Sequence, residues 1–394
     1  MRVLFVNKFY YHRGGDCTAV FSTEKLLQEK GHETAIFSVR HPQNIPSPWE
    51  SYFPKEVGFS FSGTYGKLSA VARLFYSREV AYQFNRMLSD FKPDVVHLHN
   101  IHSYISPLVA QMAHKRGIRT VWTLHDYKLI CPSYSCLRNG KICEDCFRNK
   151  YRVFTGKCMK NSYIASLLAW MEACFWNMKK LSAMTDKFIS PSHFLKTKMT
   201  EAGYAAEQIE VLHNFMPEKP APPTGKENYY CYVGRLSTEK GVDTLLEAAE
   251  QLPYPLKVIG GGPLLDSYQK KYASAPIEFL GHIQPEKLYP IVQKARILVL
   301  PSGCYENNPF SIIEALCLGT PVVGSRIGGI PELIKEGENG LLFRPGDVAD
   351  LKNKINDGFR HFTDSYDFRI ISEHAQNKFG SESFYNKLIC IYDR

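Results

Sequence analysis

Short apolar runs alternate along most of the chain with longer segments in which apolar residues recur every three or four positions. Runs such as "RVLFVN" and "ETAIFSV" are typical of strands that are buried on both faces of a sheet. The intervening segments, such as "CTAVFSTEKLLQEKGH", have the period of an amphipathic helix. Strands that alternate with helices in this way predict βαβ units around parallel sheets, and therefore a doubly wound α/β fold.

The alternation is interrupted by "MPEKPAPPTGKEN" at residues 216–228, which carries four prolines within eight residues. Such a segment predicts a stiff, exposed linker between a Rossmann-like domain at 1–215 and a second one at 229–375. The amphipathic tail predicts a C-terminal helix at 376–394 that packs back toward the N-terminal domain. Because open parallel sheets bind ligands at the carboxyl ends of their strands, we expect the two domains to face each other across a cleft.

Composition and charge fit a soluble globular protein. Of the 394 residues 44% are hydrophobic and 22% charged, and the formal net charge of +9 suits an anionic small molecule, a nucleic acid or an acidic membrane surface. The first apolar run, Val3 to Val6, is too short for a secretion signal and predicts a buried strand. Eleven cysteines without an export signal predict reduced thiols and a cytoplasmic location.

The loop "VGRLSTEKG" carries two cations, Arg235 and Lys240, between a predicted strand and a helix. The planar guanidinium and the mobile ammonium suit phosphate oxygens, and the following helix N-terminus adds a partial positive charge. This loop is therefore a candidate diphosphate site. The alternative is a solvated basic turn without a ligand.

Two neighbouring loops are candidates for contacts with the same ligand. Gly261 and Gly262 in "VIGGGPL" permit a close backbone approach, although a tight turn explains the glycines equally well. His282 and Ile283 in "GHIQPEKL" follow the next strand, and their backbone groups are candidates for contacts with a base.

Two glutamates, Glu306 and Glu314, lie eight residues apart around the start of a predicted helix, after the strand "ILVLPS". Carboxylates accept charge-assisted hydrogen bonds from sugar hydroxyls, so this pair suits two rings of one elongated ligand. The alternative is that Glu306 caps the helix and that Glu314 is solvated. The residues after Glu306 are expected to direct backbone amides toward the ligand: Asn307, Asn308, Pro309 and Phe310.

With these loops in this order, and "ALCLGTPVVGSRIGGIPELI" following, the sequence resembles the retaining, nucleotide-sugar-dependent glycosyltransferases of family 4, which have the two-domain GT-B fold. The resemblance spans nearly the whole chain and is strongest from Tyr232 to Pro345. It implies an enzyme that moves a hexosyl-type sugar from a UDP- or GDP-linked donor to a glycan or lipid-linked glycan. It also implies a role in bacterial cell-surface polysaccharide biosynthesis.

The resemblance assigns roles to the candidate residues of the second half. Arg235 and Lys240 would bind the diphosphate and stabilise it as a leaving group. Glu306 would accept hydrogen bonds from the transferred sugar, and Glu314 from the ribose of the nucleotide. Many members carry Gly-Phe-Gly after the first glutamate, whereas this chain has "NNPF".

In the first half, the resemblance places Gly14 and Gly15 of "RGGD" in a flexible loop near the donor phosphate and the acceptor. It makes His125 of "TLHD" the family's cleft histidine, whereas an ordinary loop histidine is the alternative. The histidines of "VVHLHNIHS" do not converge enough to predict a metal site, and no D-x-D cluster stands out. Transfer is therefore expected to need neither a catalytic metal nor a cofactor.

A cysteine-rich insertion at 131–158 contains a C-x-x-C pair with the spacing of a structural zinc site. Free surface thiols are an equally weighted alternative. The preferred ligands are four cysteines, with Cys136 left over: Cys131, Cys143, Cys146 and Cys158.

The aromatic-rich segment "SLLAWMEACFWNMKKLS" at 166–182 ends in lysines and has two interpretations. It could lie on the cytoplasmic face of a membrane, near a lipid-linked acceptor. We favour the alternative, in which it packs against its own domain.

The sequence disfavours two other classes of protein, a dinucleotide oxidoreductase and a nucleic-acid-binding protein. A dinucleotide oxidoreductase is disfavoured because neither half has G-x-G-x-x-G after its first strand. A nucleic-acid-binding protein is disfavoured because the positive charge forms no basic stripe and no nucleic-acid module is recognisable, so no nucleic-acid partner is expected.

Overall fold

A computed structural model describes residues 1–57, 64–223, 225–363 and 365–393. It confirms the α/β fold with two Rossmann-like domains. One unit consists of Met1–Asn139, Cys143–Leu212 and Tyr385–Arg394, and the other of Gly140–Ile142 and His213–Phe384. Residue 224 of the predicted linker and residue 394 of the predicted C-terminal helix lie outside the described residues.

The first unit is built on a six-stranded, all-parallel sheet. Its strands are β1 (Arg2–Val6), β2 (Glu33–Phe37), β3 (Val95–Leu98), β4 (Arg119–Thr123), β7 (Lys187–Ser190) and β8 (Ile209–Val211). Their order is β2-β1-β3-β4-β7-β8. A separate two-stranded sheet lies in the cysteine-rich insertion and consists of β5 (Leu137–Arg138) and β6 (Lys141–Ile142).

Helices connect the strands of the first unit, as the period of the sequence predicts. They are α1 (Gly15–Glu29), α2 (Thr64–Phe75), α3 (Arg78–Phe91), α4 (Leu108–Lys115), α5 (Arg152–Thr155), α6 (Tyr163–Phe175), α7 (Met178–Ala183) and α8 (His193–Glu201).

The second unit has a parallel sheet of its own. Its strands are β9 (Tyr230–Val233), β10 (Leu256–Ile259), β11 (Ile277–Gly281), β12 (Ile297–Leu300), β13 (Val322–Ser325) and β14 (Gly340–Phe343), in the order β11-β10-β9-β12-β13-β14. Its helices are α9 (Val242–Ala249), α10 (Leu265–Lys271), α11 (Pro285–Lys294), α12 (Phe310–Cys317), α13 (Val348–His361) and α14 (Phe368–Phe379).

The strand order of the second sheet fixes where a ligand can bind. From β9 the chain adds β10 and β11 on one side and then returns to add β12 on the other. The loops after β9 and β12 therefore leave the sheet edge in opposite directions and open a crevice at the carboxyl ends of these strands. In the first sheet the same reversal falls between β1 and β3.

The predicted C-terminal helix at 376–394 is two helices rather than one. Gly380 is extended (φ −77°, ψ 161°) and ends α14, and the last helix, α15, runs from Ser381 to Asp393. The end of α15 belongs to the first unit, where the Tyr392 hydroxyl lies 2.7 Å from His97 Nδ1 and Arg119 donates to the Ile391 carbonyl. This confirms that the C-terminal helix packs on the N-terminal domain.

The proline-rich segment at 216–228 belongs to the second unit. The backbone N–H of Met216 donates to the Phe379 carbonyl (2.9 Å), and the Lys226 ammonium donates to Thr320 Oγ1 (2.7 Å). Burial lowers the pKa of Lys226 to about 7. The described part of this segment is thus anchored to the domain that follows it.

Candidate active site

The loops after β9 and β12 lie in direct backbone contact at the crevice of the second sheet. Gly241 has the left-handed φ of +66°, and a Cβ atom there would lie 2.0 Å from the Pro301 carbonyl oxygen. The backbone N–H of Gly303 donates to the Glu239 carbonyl (3.0 Å). Only a glycine permits this approach, so residue 241 sets the distance between the two loops.

This contact brings together two of the predicted site residues. Lys240 Nζ lies 2.7 Å from Glu306 Oε1, and the Ser302 hydroxyl donates to the same carboxylate oxygen. Burial lowers the pKa of Lys240, but the charges of Glu306, Cys304 and Glu239 and the hydrogen bond to Glu306 together outweigh it, so the pKa is raised above its ordinary value. The crevice therefore contains a half-buried ion pair.

The loop after β13 holds the Glu306 backbone in place. The N–H of Gly329 donates to the Glu306 carbonyl (2.7 Å), and Gly328 has a φ of +61°. A Cβ atom on Gly328 would lie 2.4 Å from the Glu306 carbonyl oxygen. The "IGG" glycines thus let a third loop support the backbone of Glu306.

Arg235 lies in the same loop after β9 as Lys240, and the glycine loop after β10 lies against this loop. The Arg235 side chain is exposed, and its carbonyl accepts a hydrogen bond from the Tyr232 hydroxyl (2.8 Å). Gly262 packs against Leu236, where a Cβ atom would lie 2.3 Å from the carbonyl oxygen, whereas the Cβ direction of Gly261 points into open space. Gly261 is therefore the glycine of this loop that a ligand can approach.

The remaining predicted donor contacts differ in their surroundings. After β11, His282 is exposed and Ile283 packs against the hydrophobic core. Asn307 is half-buried, Pro309 is the N-cap of α12, and Phe310 is the first residue of that helix.

Asn308 is buried, and its side chain is used within the protein. Its Oδ1 accepts from the Asn214 backbone N–H (2.7 Å), and its Nδ2 lies 3.3 Å from His213 Nδ1. The Asn214 side chain in turn donates to the Asn308 carbonyl (2.7 Å). Asn308 thereby fixes the loop that leads into α12.

Glu314 lies half-buried on α12 and hydrogen-bonds the Tyr289 hydroxyl of α11. Burial raises its pKa to about 7, and the Tyr289 hydrogen bond only partly opposes this effect. A carboxyl group with this pKa changes its protonation state near neutral pH. Any ligand hydroxyl that it accepts from is therefore bound in a pH-dependent way.

In the first unit, Gly14 and Gly15 are exposed at the start of α1. The next residue, Asp16, accepts a hydrogen bond from the Asn100 side chain (2.8 Å) of the loop after β3. Burial raises the pKa of Asp16, but His125, Asn100 and Lys8 together outweigh it, and the pKa is lowered. An ionised carboxylate thus lies at the reversal point of this sheet as well.

His125 contacts a second histidine, His99. Its Nε2 lies 2.8 Å from His99 Nδ1, and the His99 carbonyl accepts from the Trp122 indole (2.9 Å). Burial lowers the pKa of His125 and outweighs the carboxylates of Asp16 and Asp126. At neutral pH His125 is therefore an uncharged imidazole.

The other histidines of "VVHLHNIHS" point to different partners. His97 is buried between Tyr392 and Thr123, each 2.7 Å from one of its ring nitrogens, and burial lowers its pKa to about 3. His102 lies 3.6 Å from the Glu172 carboxylate. His97 therefore anchors the C-terminal helix.

The cysteines of the insertion are all free thiols. Cys131, Cys136 and Cys146 are buried, and Cys143 and Cys158 are half-buried. Hydrogen bonds from the thiols of Cys136 and Cys146 to Cys131 lower the pKa of Cys131. Within the described ranges, no group of three or more His, Cys, Asp or Glu side chains is arranged so that it could hold a metal ion.

Several residues of these two sites were not predicted. Ser302 binds Glu306, and Tyr289 binds Glu314. In the first unit, His99 contacts His125, and Asn100 donates to Asp16. Ser302 in "LVLPS" and Asp16 in "RGGD" had a usable signal, because each stands at a strand end or a helix start. Tyr289 had none, since its contact with α12 is purely tertiary.

Matches to family models identify the chain. Residues 14–218 match the model described as Glycosyltransferase Family 4, and residues 217–360 match the one described as Glycosyl transferases group 1. The chain therefore belongs to glycosyltransferase family 4, and the protein is an enzyme that transfers glycosyl groups.

Relatives of known sequence agree with this assignment. A Klebsiella pneumoniae protein, described as an uncharacterized 42.6 kDa protein in the cps region, is 28% identical over 89% of this chain and 91% of its own length. The lipopolysaccharide 1,6-galactosyltransferase of Escherichia coli is 28% identical over 52% of this chain and 62% of its own.

Solved structures agree on the fold. A sucrose-phosphate synthase from Thermosynechococcus elongatus superposes with a TM-score of 0.72 at 19% identity, over 100% of this chain and 98% of that one. A lipopolysaccharide outer core galactosyltransferase in its apo form gives 0.65 at 19% identity, over 99% of each chain. These neighbours are GT-B glycosyltransferases, which confirms the predicted fold class.

The raised pKa of Glu314 predicts a specific pH dependence of stability. Its pKa is about 7 in the folded protein against 4.5 ordinarily, so the folded state retains a proton that the unfolded state loses between these values. The carboxyl group therefore does not lower the free energy of unfolding below pH 4.5, and it lowers this free energy progressively as the pH rises to 7. Relative to Glu314→Gln, wild type should lose on the order of 1 to 3 kcal/mol of unfolding free energy across this window.

Chemical denaturation of both proteins at several pH values measures this difference. Glu286→Gln removes an exposed carboxylate of α11 and serves as the matched control, which should follow wild type. A difference between wild type and Glu314→Gln that is constant with pH would show that Glu314 is not held in a desolvated site.

Proposed function

We propose that this glycosyltransferase moves a sugar from a UDP- or GDP-linked donor to a glycan or lipid-linked glycan, with retention of configuration. We propose its setting as bacterial cell-surface polysaccharide biosynthesis. The single observation that carries the proposal is the Lys240–Glu306 contact of 2.7 Å in the crevice of the second sheet. The ammonium suits the anionic diphosphate of a nucleotide sugar, and the carboxylate on the adjoining loop suits the hydroxyl groups of its sugar.

In this proposal Lys240 exchanges partners when the donor binds. Its ammonium turns from Glu306 to the diphosphate, while the Ser302 hydroxyl continues to hold the carboxylate. The freed Glu306 oxygen then accepts hydrogen bonds from sugar hydroxyls. The exposed guanidinium of Arg235 supplies a second cation for the phosphate oxygens.

The reaction would proceed on one face of the sugar. The bond between the anomeric carbon and the diphosphate oxygen breaks, and the acceptor hydroxyl attacks from the side on which the diphosphate departs. The hydroxyl proton passes to the departing phosphate oxygen. Lys240, Arg235 and the N-termini of α9 and α12 offset the charge that develops there, so the proposal requires no divalent metal.

Glu314 and Gly261 complete the proposed donor site. The Glu314 carboxylate would accept from the ribose hydroxyls, which ties nucleotide affinity to its pKa of about 7. Gly261 would allow the diphosphate to approach the backbone after β10. In the first unit, we propose that uncharged His125 and the loop at Gly14 and Gly15 recognise the sugar and the acceptor.

The named relatives support both the donor class and the setting. The Anabaena protein HepE has been solved in complex with UDP-glucose, and a Corynebacterium glutamicum relative is described as a GDP-mannose-dependent mannosyltransferase. The base of the donor therefore stays open between uridine and guanosine. The Klebsiella pneumoniae and Escherichia coli relatives support assembly of a capsular or lipopolysaccharide glycan.

Replacement of Lys240 tests the proposed phosphate contact. Lys240→Ala should lower transfer or donor hydrolysis by about 100-fold or more, because a single preorganised charge contact of this kind is worth that much in the transition state. The assay uses a panel of UDP- and GDP-sugars, with NADH and an oligonucleotide as probes of the two disfavoured classes. The anomeric coupling in the NMR spectrum of the product reports retention.

Lys294→Ala is the matched control, because Lys294 lies in the same unit and also pairs with a carboxylate, Glu227, at 3.0 Å. It should retain wild-type activity. Activity of Lys240→Ala within about twofold of wild type would refute the phosphate role. Inversion of the anomeric centre would refute the proposed mechanism.

We further propose a structural zinc in the insertion at 131–158, with a ligand set revised from the sequence-based one. Cys131 contacts the thiols of both Cys136 and Cys146, the charge on Cys158 acts on Cys146, and the charges on Cys131 and Cys143 act on Cys158. Because Cys136 contacts Cys131 directly, we favour Cys136 over Cys143 as the fourth ligand of the proposed set. Zinc would draw these four side chains together, since as they stand they do not enclose an ion site.

Metal analysis of protein purified without chelators tests the zinc proposal. Wild type and Cys143→Ser should each contain about one equivalent of zinc, and Cys136→Ser much less, because a tetrahedral site that loses one thiolate binds weakly. Circular dichroism checks that each variant folds. Less than about a tenth of an equivalent in wild type expressed with added zinc would refute the site.

A further inference from the structure

Helix α6 exposes an apolar side to solvent and buries its charged residue, which is the reverse of the usual arrangement of a surface helix. Its exposed side is apolar, with the largest exposed fractions at Ile164 (74%) and Tyr163 (54%). Its only charged residue, Glu172, is 3% exposed. We name the exposed side the α6 face and define it by five residues: Tyr163, Ile164, Leu167, Met171 and Phe175.

An ion pair fixes the rotation of this helix. The Lys128 ammonium lies 2.8 Å from the Glu172 carboxylate, and both side chains are buried. Two hydrogen bonds support the same orientation, from the Met159 N–H to Ser166 Oγ (3.0 Å) and from the Trp176 indole to the Leu74 carbonyl (2.8 Å). A rotation that buried the α6 face would unpair Glu172 from Lys128, so the apolar side is held outward.

The chain on either side of the α6 face carries mainly basic residues. Residues 147–185 contain seven Lys and Arg residues, and their only acidic residue is the buried Glu172. Lys157 Nζ lies 4.2 Å from the centre of the Tyr163 ring, and Lys180 Nζ lies 4.4 Å from the centre of the Phe175 ring. Cations therefore border the apolar stripe at both ends.

We propose that the α6 face docks on an anionic lipid surface. An apolar helix face with aromatic residues and bordering lysines suits the boundary between acyl chains and headgroups, and the cations suit anionic headgroups. A second copy of the chain is disfavoured as the partner, because two such surfaces would bring like charges together. None of the helices in the described residues has the length and apolar character that a bilayer-spanning helix needs.

The sequence-based preference, in which the segment at 166–182 packs against its own domain, concerns the other side of the segment, where Ala169, Trp176 and Leu181 are buried. The inference concerns only the exposed α6 face. The inference rests on the proposed function in one respect, since docking would bring the enzyme to a lipid-linked acceptor. Binding to lipid can nevertheless be measured without donor or acceptor.

Vesicle sedimentation with the full chain tests the proposal. Binding to phosphatidylcholine vesicles that contain about 30% phosphatidylglycerol should exceed binding to pure phosphatidylcholine by at least about tenfold, and should fall steeply at about 0.5 M salt. Ile164→Glu and Met171→Glu should each reduce binding by at least about tenfold, since each places a charge in the apolar face. The double change Lys179→Glu and Lys180→Glu should abolish the preference for anionic lipid.

Ile370→Glu is the matched control, because Ile370 is also an exposed isoleucine (49%) but lies on α14 of the second unit. It should bind vesicles like wild type, and all variants should keep the wild-type melting temperature. Equal binding of Ile164→Glu and Ile370→Glu would overturn the proposal. So would a concentration-dependent dimer that Ile164→Glu disperses, because the partner would then be a second copy.

Hydrolysis of a water-soluble donor separates this proposal from the proposed function. Ile164→Glu should hydrolyse the donor at the wild-type rate, because α6 belongs to the first unit and lies outside the donor loops. Loss of hydrolysis in wild type with lipid binding intact would refute the function alone. Normal hydrolysis without any preference for anionic vesicles would refute the docking surface alone.

Discussion

The salt bridge between Lys240 and Glu306 is the interaction on which the candidate site depends. It forms because the loops after β9 and β12 meet at the point where the strand order reverses, and because Gly241 lets their backbones touch at Pro301. Gly328 and Gly329 then hold the backbone of Glu306 from the other side. A side chain at residue 241 would separate the loops and with them the two charges.

This arrangement holds both charges in place before any ligand arrives. In the proposed function the Lys240 ammonium leaves Glu306 for the diphosphate, so its attraction to the carboxylate has to be overcome when the donor binds. Glu314, on the helix behind, is in a different state, because burial raises its pKa to about 7. The two carboxylates that the sequence sets eight residues apart thus lie in different surroundings, one paired with Lys240 and the other buried beside Tyr289.

The strands and the loops with Lys240 and Glu306 could be predicted, because apolar runs and turn residues are local signals. What could not be predicted depends on contacts between distant segments. The Asn308 side chain binds Asn214, a contact that the expectation of a backbone amide at Asn308 does not reveal. The Lys128–Glu172 pair sets the orientation of α6, in which Leu167, Met171 and Phe175 are exposed while Ala169, Trp176 and Leu181 of the same segment are buried. Neither partner can be deduced from spacing.

A double-mutant cycle for binding of the nucleoside diphosphate tests the central claim most directly. Calorimetry would compare wild type, Lys240→Met, Glu306→Gln and the double variant. If Glu306 and the diphosphate compete for Lys240, Glu306→Gln should tighten binding in wild type and have no effect without Lys240, giving a coupling of at least about 0.5 kcal/mol. Equal effects of Glu306→Gln in both backgrounds, with affinity unchanged in Lys240→Met, would contradict the account.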